Sequence, residues 1–433
     1  MAGAMIVPRH VLGGSGQAAP SDKLNIAVIG AGGRGADDSE EVAGENIVAL
    51  CDVDSGHLDE QRQKYPRAAG YADYRVMLEK EDKNIDAVLI ATPDHVHAVA
   101  TMAAMKMGKH VYCEKPLTHT IFEARAIAKA TGETRVKTQM GNQGMGFEAN
   151  RQLKEWLGAN VIGRVREVHV WSDRPTRMGT SELWWPQGFS APQDTPPVPA
   201  TLNYDLWLGP VSYRHYHPAF SHFVWRGWWD FGTGAMGDLG VHNLAPVFSA
   251  LKLPPPAVIH ASSSPVFPET YPQASLIHYR FPAQGNDAPV QVHWYDGGLL
   301  PPRPREFEAD RELPRENGIL FVGDNGKIFM EGEGGETIRL IPESRMQDFK
   351  QPPKALPRSI GHHREWIESC KGNGETESDF LFAGPLTEAL LVGNIALRFG
   401  GRELHWDAEK MKITNIAEAN QFLQVRYRQG WTL

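Results

Sequence analysis

Only three cysteines occur in the 433 residues, at Cys51, Cys113 and Cys370. A scattered odd number makes no paired disulfide framework, and none of the three has the close spacing of a zinc site. Positive charge is also short: 44 Lys and Arg stand against 52 Asp and Glu, a formal net charge of −8. With the basic residues dispersed, no nucleic acid partner is expected. No apolar run reads as long enough to span a bilayer, so no membrane partner is expected either. The chain contains no internal repeat and no low-complexity tract. What remains is an ordinary globular composition, 41% hydrophobic and 22% charged, long enough for two domains with separate cores.

The richest stretch of chemistry lies near the start. Leu24–Ile29 is a continuous apolar run of the kind found in strands buried on both faces. It feeds Gly30-Ala31-Gly32-Gly33-Arg34-Gly35, which matches G-x-G-x-x-G. Those glycines allow a tight turn, close approach of backbone to a pyrophosphate and close helix–strand contact. The helix that follows aims its free N–H groups at the same phosphate. A second strand, Asn46–Cys51, ends at Asp52, about twenty residues beyond the first glycine, where an acid that binds the adenosine ribose belongs. A carboxylate there accepts from the ribose 2′-hydroxyl and repels a 2′-phosphate, so NAD is expected before NADP. Arg34 softens that preference if its guanidinium lies near the ribose.

Two further strands end at prolines. Ala87–Ala91 runs into Thr92-Pro93-Asp94-His95-Val96-His97, and His110–Glu114 runs into Lys115-Pro116. Proline cannot donate to a strand ladder, so each strand stops there and leaves its last residues at the carboxyl edge, where α/β sheets bind ligands. Thr92, Pro93 and His97 read either as a wall beside a nicotinamide or as an ordinary strand–helix turn. A final strand, Val136–Met140, leads to Asn142 and Gln143, whose amides suit sugar hydroxyls.

These pieces together resemble the Gfo/Idh/MocA family of NAD(P)-dependent oxidoreductases, which includes glucose–fructose oxidoreductase and inositol dehydrogenase. The resemblance rests on strand–GxGxxG–helix, the acidic end of the second strand, ATPDHVHA and the Glu114-Lys115-Pro116 triplet. It implies that Lys115 sits beside nicotinamide and substrate hydroxyl, and that Pro93 and His97 belong to the nicotinamide side. The expected architecture is α/β plus α+β. A doubly wound Rossmann sheet over 22–145 precedes a large open antiparallel sheet flanked by helices over 146–410, with a C-terminal extension over 411–433. The expected cofactor set is Gly30, Gly32, Gly33, Arg34, Gly35, Asp52, Thr92, Pro93, His97, Glu114, Lys115, Asn142 and Gln143.

In the second half, Val165–Trp171 shows the alternation of a half-buried strand. Residues 172–227 then lack periodicity and are rich in Pro, Trp, His and Tyr, as in a long functional loop. The tryptophans here and just beyond form either a sugar-stacking platform or simple loop packing. Trp228, Trp229 and His363 are the expected substrate contacts. Asp238 and His242 are four apart, so on a helix they face the same way, and a carboxylate so placed raises the basicity of an imidazole. In the resembling family this pair completes a Lys/Asp/His catalytic group with the lysine of the EKP triplet. Many relatives also carry Asp three residues after that histidine, where this chain has Ala245, which puts the inositol substrate class in doubt. Asp296-Gly297-Gly298 reads as a hairpin turn, and Gly318–Val322 with Lys327–Met330 as a final hairpin. The histidines offer accidental clusters such as His215 and His217, and no metal is expected.

The leading expectation is therefore an oxidoreductase acting on a secondary hydroxyl of a sugar, glycoside or polyol. In it Lys115 or His242 moves the proton, Asp238 orients His242, and a homo-oligomer (dimer or tetramer) forms. The alternatives are a redox-assisted glycosidase with permanently bound NAD and a non-catalytic NAD-binding sensor. Residues 1–21 read as the remnant of a signal peptide, with Gln17-Ala18-Ala19 as a small-residue cleavage zone, or as a flexible arm. Export to the periplasm implies a tightly bound cofactor, because no free dinucleotide pool exists there; a cytoplasmic location is the alternative.

Overall fold

The computed structural model describes residues 22–177, 180, 182–285 and 288–433. The expected leader or arm over 1–21 lies outside the described residues. The first sheet is built from β1 (Asn25–Ile29), β2 (Asn46–Cys51), β3 (Ala69–Tyr71), β4 (Ala87–Ile90), β5 (His110–Glu114) and β6 (Thr138–Gly141). Its order is β3-β2-β1-β4-β5-β6 and every pair is parallel. The chain direction of sheet growth reverses between β1 and β4, so a crevice opens at their carboxyl ends. β1 and β4 are almost wholly buried because helices cover both faces, which is why their sequences read as unbroken apolar runs.

The second sheet comprises β7 (Val165–Ser172), β8 (Val258–Ser263), β9 (Ser275–Phe281), β10 (Val290–Tyr295), β11 (Asn317–Gly323), β12 (Gly326–Glu331), β13 (Thr337–Ile341), β14 (Glu403–Asp407) and β15 (Lys412–Ile413). The order is β13-β12-β11-β7-β10-β9-β8-β14-β15. The expectation of a purely antiparallel sheet is corrected by one pair: β7 and β10 run parallel. The hairpin expected at Asp296-Gly297-Gly298 is absent too, since β7 lies between β10 and β11. The 297–316 segment instead crosses one face of the sheet, where Phe307 and Leu313 bury against Trp171 and Phe329. β13, β14 and β15 are only two to five residues long, and the sequence reading passes over them, although β14 alternates along its length.

One apolar core runs from the first sheet's helices into the second sheet. Its centre is the helix Phe380–Leu397, packed against the helix Ile121–Glu133 and against β8. That helix is apolar enough and long enough to cross a membrane, contrary to the reading that no run reaches that length. Here it is a core helix, buried along nearly all of its length. Pro385, the sixth residue of the helix, has no N–H to give the Leu381 carbonyl, so the helix ladder lacks one bond there. Asp379 caps the helix by accepting the Phe382 N–H at 2.9 Å.

Candidate active site

The cofactor side of the crevice is shaped by backbone. Gly30 has φ +81, and a Cβ there would lie 2.7 Å from the Ala91 carbonyl oxygen, so only glycine closes the turn against β4. A Cβ on Gly35 would overlap the Gly30 carbonyl, which accounts for the third glycine as a helix–strand contact. Asp52 leaves β2 with Oδ2 accepting the Gly32 N–H and Oδ1 accepting the Asp54 N–H, both at 2.9 Å. Burial raises its pKa while those two N–H donors oppose the shift. Thr92 and Pro93 stand at the mouth of β4, and the buried Thr92 hydroxyl has no partner among the described residues.

At the mouth of β5, the Lys115 ammonium donates to Asp238 Oδ1 at 2.7 Å and to the Asp238 carbonyl at 3.0 Å. Arg226 Nε donates to the same Oδ1 at 3.0 Å. Burial opposes ionisation of Asp238, but these two cations outweigh it and hold the carboxyl well below its usual range. Asp238 sits in a π-helical turn, Met236–Gly240, ahead of the helix Val241–Leu251. The turn is packed tightly enough that a Cβ on Gly237 would overlap Thr233. His242 follows in the first turn of the helix. Its Nε2 lies 3.4 Å from Glu333 Oε1, on the glycine-rich tip between β12 and β13. Burial lowers the His242 pKa, with Lys115 adding to the effect and Glu333 opposing it. The imidazole is therefore neutral at physiological pH.

Several expected placements change. Asp238 does not orient His242, because the wide turn directs its carboxylate to Lys115 and Arg226. Arg34 does not attend the ribose acid; its guanidinium is taken up by Glu114 and Asp38, at 3.2 and 2.8 Å. His97 does not line the crevice. Its ring is buried, with Nδ1 2.7 Å from the Pro116 carbonyl and Nε2 2.8 Å from that of Thr92, so it ties the β4 and β5 mouths together from behind. Asn142 is also buried and does not line the crevice, whereas Gln143 does and donates to Glu114 at 2.6 Å and to Tyr112 at 2.9 Å.

The three expected substrate contacts also fall elsewhere. Trp228 is fully buried, its Nε1 donating to the Ala219 carbonyl at 2.7 Å and its ring edge-on to Phe220. Trp229 packs on Tyr271 with the Arg398 guanidinium 3.8 Å from its ring. His363 stacks on Tyr112 and places Nε2 3.1 Å from Asp38, beneath the phosphate turn. The tryptophans that do line the crevice are Trp184, Trp185, Trp207, Trp225 and Trp431. Arg226, Glu333, Arg174, His57 and Trp431 are among the crevice residues the sequence reading does not single out. Arg226 sits among the tryptophans already noted, and Glu333 sits in a glycine-rich hairpin tip; neither position carries a signal stronger than that.

The crevice has a volume of about 580 Å³ and runs from Asp52 and the glycine turn past Thr92 to Lys115, His242 and Glu333. An acid at one end, a glycine cradle in the middle and an unpartnered hydroxyl at the next strand mouth fit a dinucleotide laid across the strand ends. The family model described as an oxidoreductase family with an NAD-binding Rossmann fold matches residues 24–142. That of the same family's C-terminal alpha/beta domain matches residues 175–257. The chain belongs to the Gfo/Idh/MocA family.

Within the family, the chain is 29% identical over 152 residues to an inositol 2-dehydrogenase of Salmonella typhimurium, covering 34% of this chain and 45% of that protein. It is 29% identical over 156 residues to the myo-inositol 2-dehydrogenase of Thermotoga maritima, covering 35% and 46%. The match to the 1,5-anhydro-D-fructose reductase of Ensifer adhaerens is 35% over 83 residues, covering 19% and 25%. The chain thus spans less than half the length of these curated relatives. Among solved structures, the WlbA dehydrogenase from Bordetella pertussis, in complex with NADH and UDP-GlcNAcA, superposes with a TM-score of 0.61 at 17% identity, covering 89% of this chain and 99% of that one. GenD2 from gentamicin A biosynthesis, in complex with NAD, gives 0.60 at 16%, covering 93% and 100%. Those likenesses are of fold.

Proposed function

We propose that this Gfo/Idh/MocA protein is an NAD-dependent oxidoreductase acting on a secondary hydroxyl of a sugar, glycoside or polyol. The observation that carries the reading is the Lys115–Asp238 ion pair at the β5 mouth, opposite a neutral buried His242, in the same crevice as the glycine turn and Asp52. The sugar and polyol names of the matching relatives support the substrate class. A nicotinamide dinucleotide, when bound, supplies the ring that accepts or returns hydride. Gly30, Gly32, Gly33 and Asp52 would hold its phosphate and ribose, and Thr92, Pro93 and Gln143 line the crevice beyond them. His242, neutral at its Nε2 or Nδ1, takes the hydroxyl proton. Lys115, held in place by Asp238, donates a hydrogen bond to the oxygen as charge develops there. Arg226 fixes the Asp238 carboxylate from the other side, and Trp184 and Trp225 border the crevice with guanidinium groups over their rings, Arg174 on Trp184 and Arg226 on Trp225.

Asp52 favours NAD over NADP, and a homo-oligomer and an exported location with tightly held cofactor belong to the same proposal. The test is a panel of polyols, free sugars and glycosides with the purified chain, with and without added NAD, following reduced nicotinamide and free sugar together. Net reduction supports the proposal. Sugar released without net reduction would replace it by the redox-assisted glycosidase, and tight NAD binding with neither product by the sensor.

A further inference from the structure

The outer face of the second sheet carries a row of side chains that the crevice does not use. Directly paired positions on neighbouring strands place Glu403 of β14 against His260 of β8, His260 against His278 of β9, His278 against His293 of β10, and His293 against His169 of β7. Paired residues project from the same face of a sheet. The opposite face at these strands is core: Val168, Val170, Val292 and Trp294 are fully buried there. Glu167 lies two residues before His169, so it joins the histidine face.

We propose that Glu167, His169 and His293 form a binding site for one divalent transition metal ion of the zinc class on this outer face, separate from the crevice. His293 Nε2 is 2.9 Å and His169 Nε2 is 3.3 Å from Glu167 Oε1, and the ligating atoms of all three lie within 4.8 Å of one another. Tetrahedral bonds of about 2.0–2.1 Å separate neighbouring ligand atoms by roughly 3.4 Å, so the set needs only small adjustments to close on an ion. Two imidazoles and one carboxylate are the donor set that zinc takes where a fourth position stays open. The other nitrogen of each imidazole is already held. His169 Nδ1 lies 3.0 Å from the Tyr295 hydroxyl, and His293 Nδ1 touches His278 Nδ1. Metal-bound histidines characteristically donate their remaining N–H to such a partner, which sets the tautomer that leaves Nε2 free to ligate. A pocket of about 210 Å³ opens on the β9 side of His293, lined also by His260, His278, Gln291 and Glu403.

The ion would bridge β7 and β10, the parallel pair that the rest of this sheet flanks. The test uses the full chain, treated with chelator, dialysed and titrated calorimetrically with zinc chloride, with bound metal counted by mass spectrometry. One zinc per chain and a higher melting temperature with zinc are expected. Glu167→Gln, at a half-exposed position that tolerates the change, and His169→Asn should each abolish that stoichiometric binding. His278→Ala should weaken it about 10–100-fold while leaving the stoichiometry intact. Absence of stoichiometric zinc in the unaltered chain would leave the row as a hydrogen-bonded cluster and overturn the proposal. Equal zinc affinity in folded Glu167→Gln and His169→Asn proteins would also overturn it, by placing the ion elsewhere.

Discussion

Lys115 shows how much one side chain owes to partners far away in the chain. Its ammonium is held by a carboxylate 123 positions later, which is itself held by Arg226. Replacing Lys115 by Ala removes the donor to the substrate oxygen but none of the glycine turn. Turnover should fall by about 10²–10³-fold, the range for losing one preorganised donor to a developing oxyanion, with NAD affinity by fluorescence titration changed by no more than a few fold. Unaltered rates in that variant would sink the assignment. His242 makes a pH prediction. Its pKa is lowered from 6.5, so the neutral base persists to lower pH than for a free histidine, and kcat/KM should decline only as pH falls through that lowered value. His242→Gln should remove this acid limb along with most of the rate. Asp52 tests cofactor choice: Asp52→Ser removes the charge that faces a 2′-phosphate, and the ratio of NAD to NADP efficiency should shrink by about tenfold or more, read from steady-state kinetics with both cofactors.

Among the elements, the helix Arg34–Glu41 that opens at the glycine turn carries an unusual cost. Asp38 is fully buried on it, between Arg34 and His363, with Glu114 of β5 close by. Burial pushes its pKa from 3.8 up to about 7, although Arg34 pulls the other way. The folded protein thus keeps a proton that the unfolded chain gives up. Asp38 therefore contributes most at low pH, and its contribution is lost as pH rises from 3.8 to about 7. Asp38→Asn cannot ionise, so the difference in melting temperature between variant and parent should grow in the variant's favour across that window. A constant offset from pH 4 to pH 7 would show that Asp38 is ionised throughout. The same helix explains His363: expected as a substrate contact, it is used by the fold beneath the phosphate turn, where it meets Asp38.

For the whole molecule, the last residues matter more than an extension suggests. The Phe122 N–H donates to the Leu423 carbonyl at 3.0 Å, Tyr427 bonds Glu123, and Arg428 reaches Asp205 and the Pro210 carbonyl. The segment thereby joins a Rossmann helix to the long loop of the second half. It ends with Trp431 lining the crevice, packed on Tyr74 with Arg75 over its ring at 4.3 Å. Trp431→Ala removes a large apolar wall, and NAD should bind about tenfold more weakly, for a loss near 1.4 kcal/mol, in a calorimetric titration. Affinity within twofold of the parent would make the tryptophan a purely structural strap.

The sequence alone determined the features encoded over short spans. Buried parallel strands read as apolar runs, the glycine turn as spacing, and strand ends as prolines, so β1, β2, β5 and the positions of Asp52 and Lys115 were legible. Trp228, Trp229 and His97 were misplaced for one reason. An aromatic or a histidine beside a site and one behind it have the same local sequence, and only packing decides which way the ring faces. The pairing of Asp238 with Lys115 and Arg226 rather than His242 depended on the π-turn Met236–Gly240, in which Gly237 lies directly against Thr233. The approach of Glu333 to His242 depended on docking a hairpin tip, where the Gly334 N–H meets Asn243 at 2.8 Å. Such contacts join residues tens to hundreds of positions apart, and no periodicity within one element records them. The histidine row of the second sheet is of the same kind, since each member is an ordinary strand residue until register sets the four side by side.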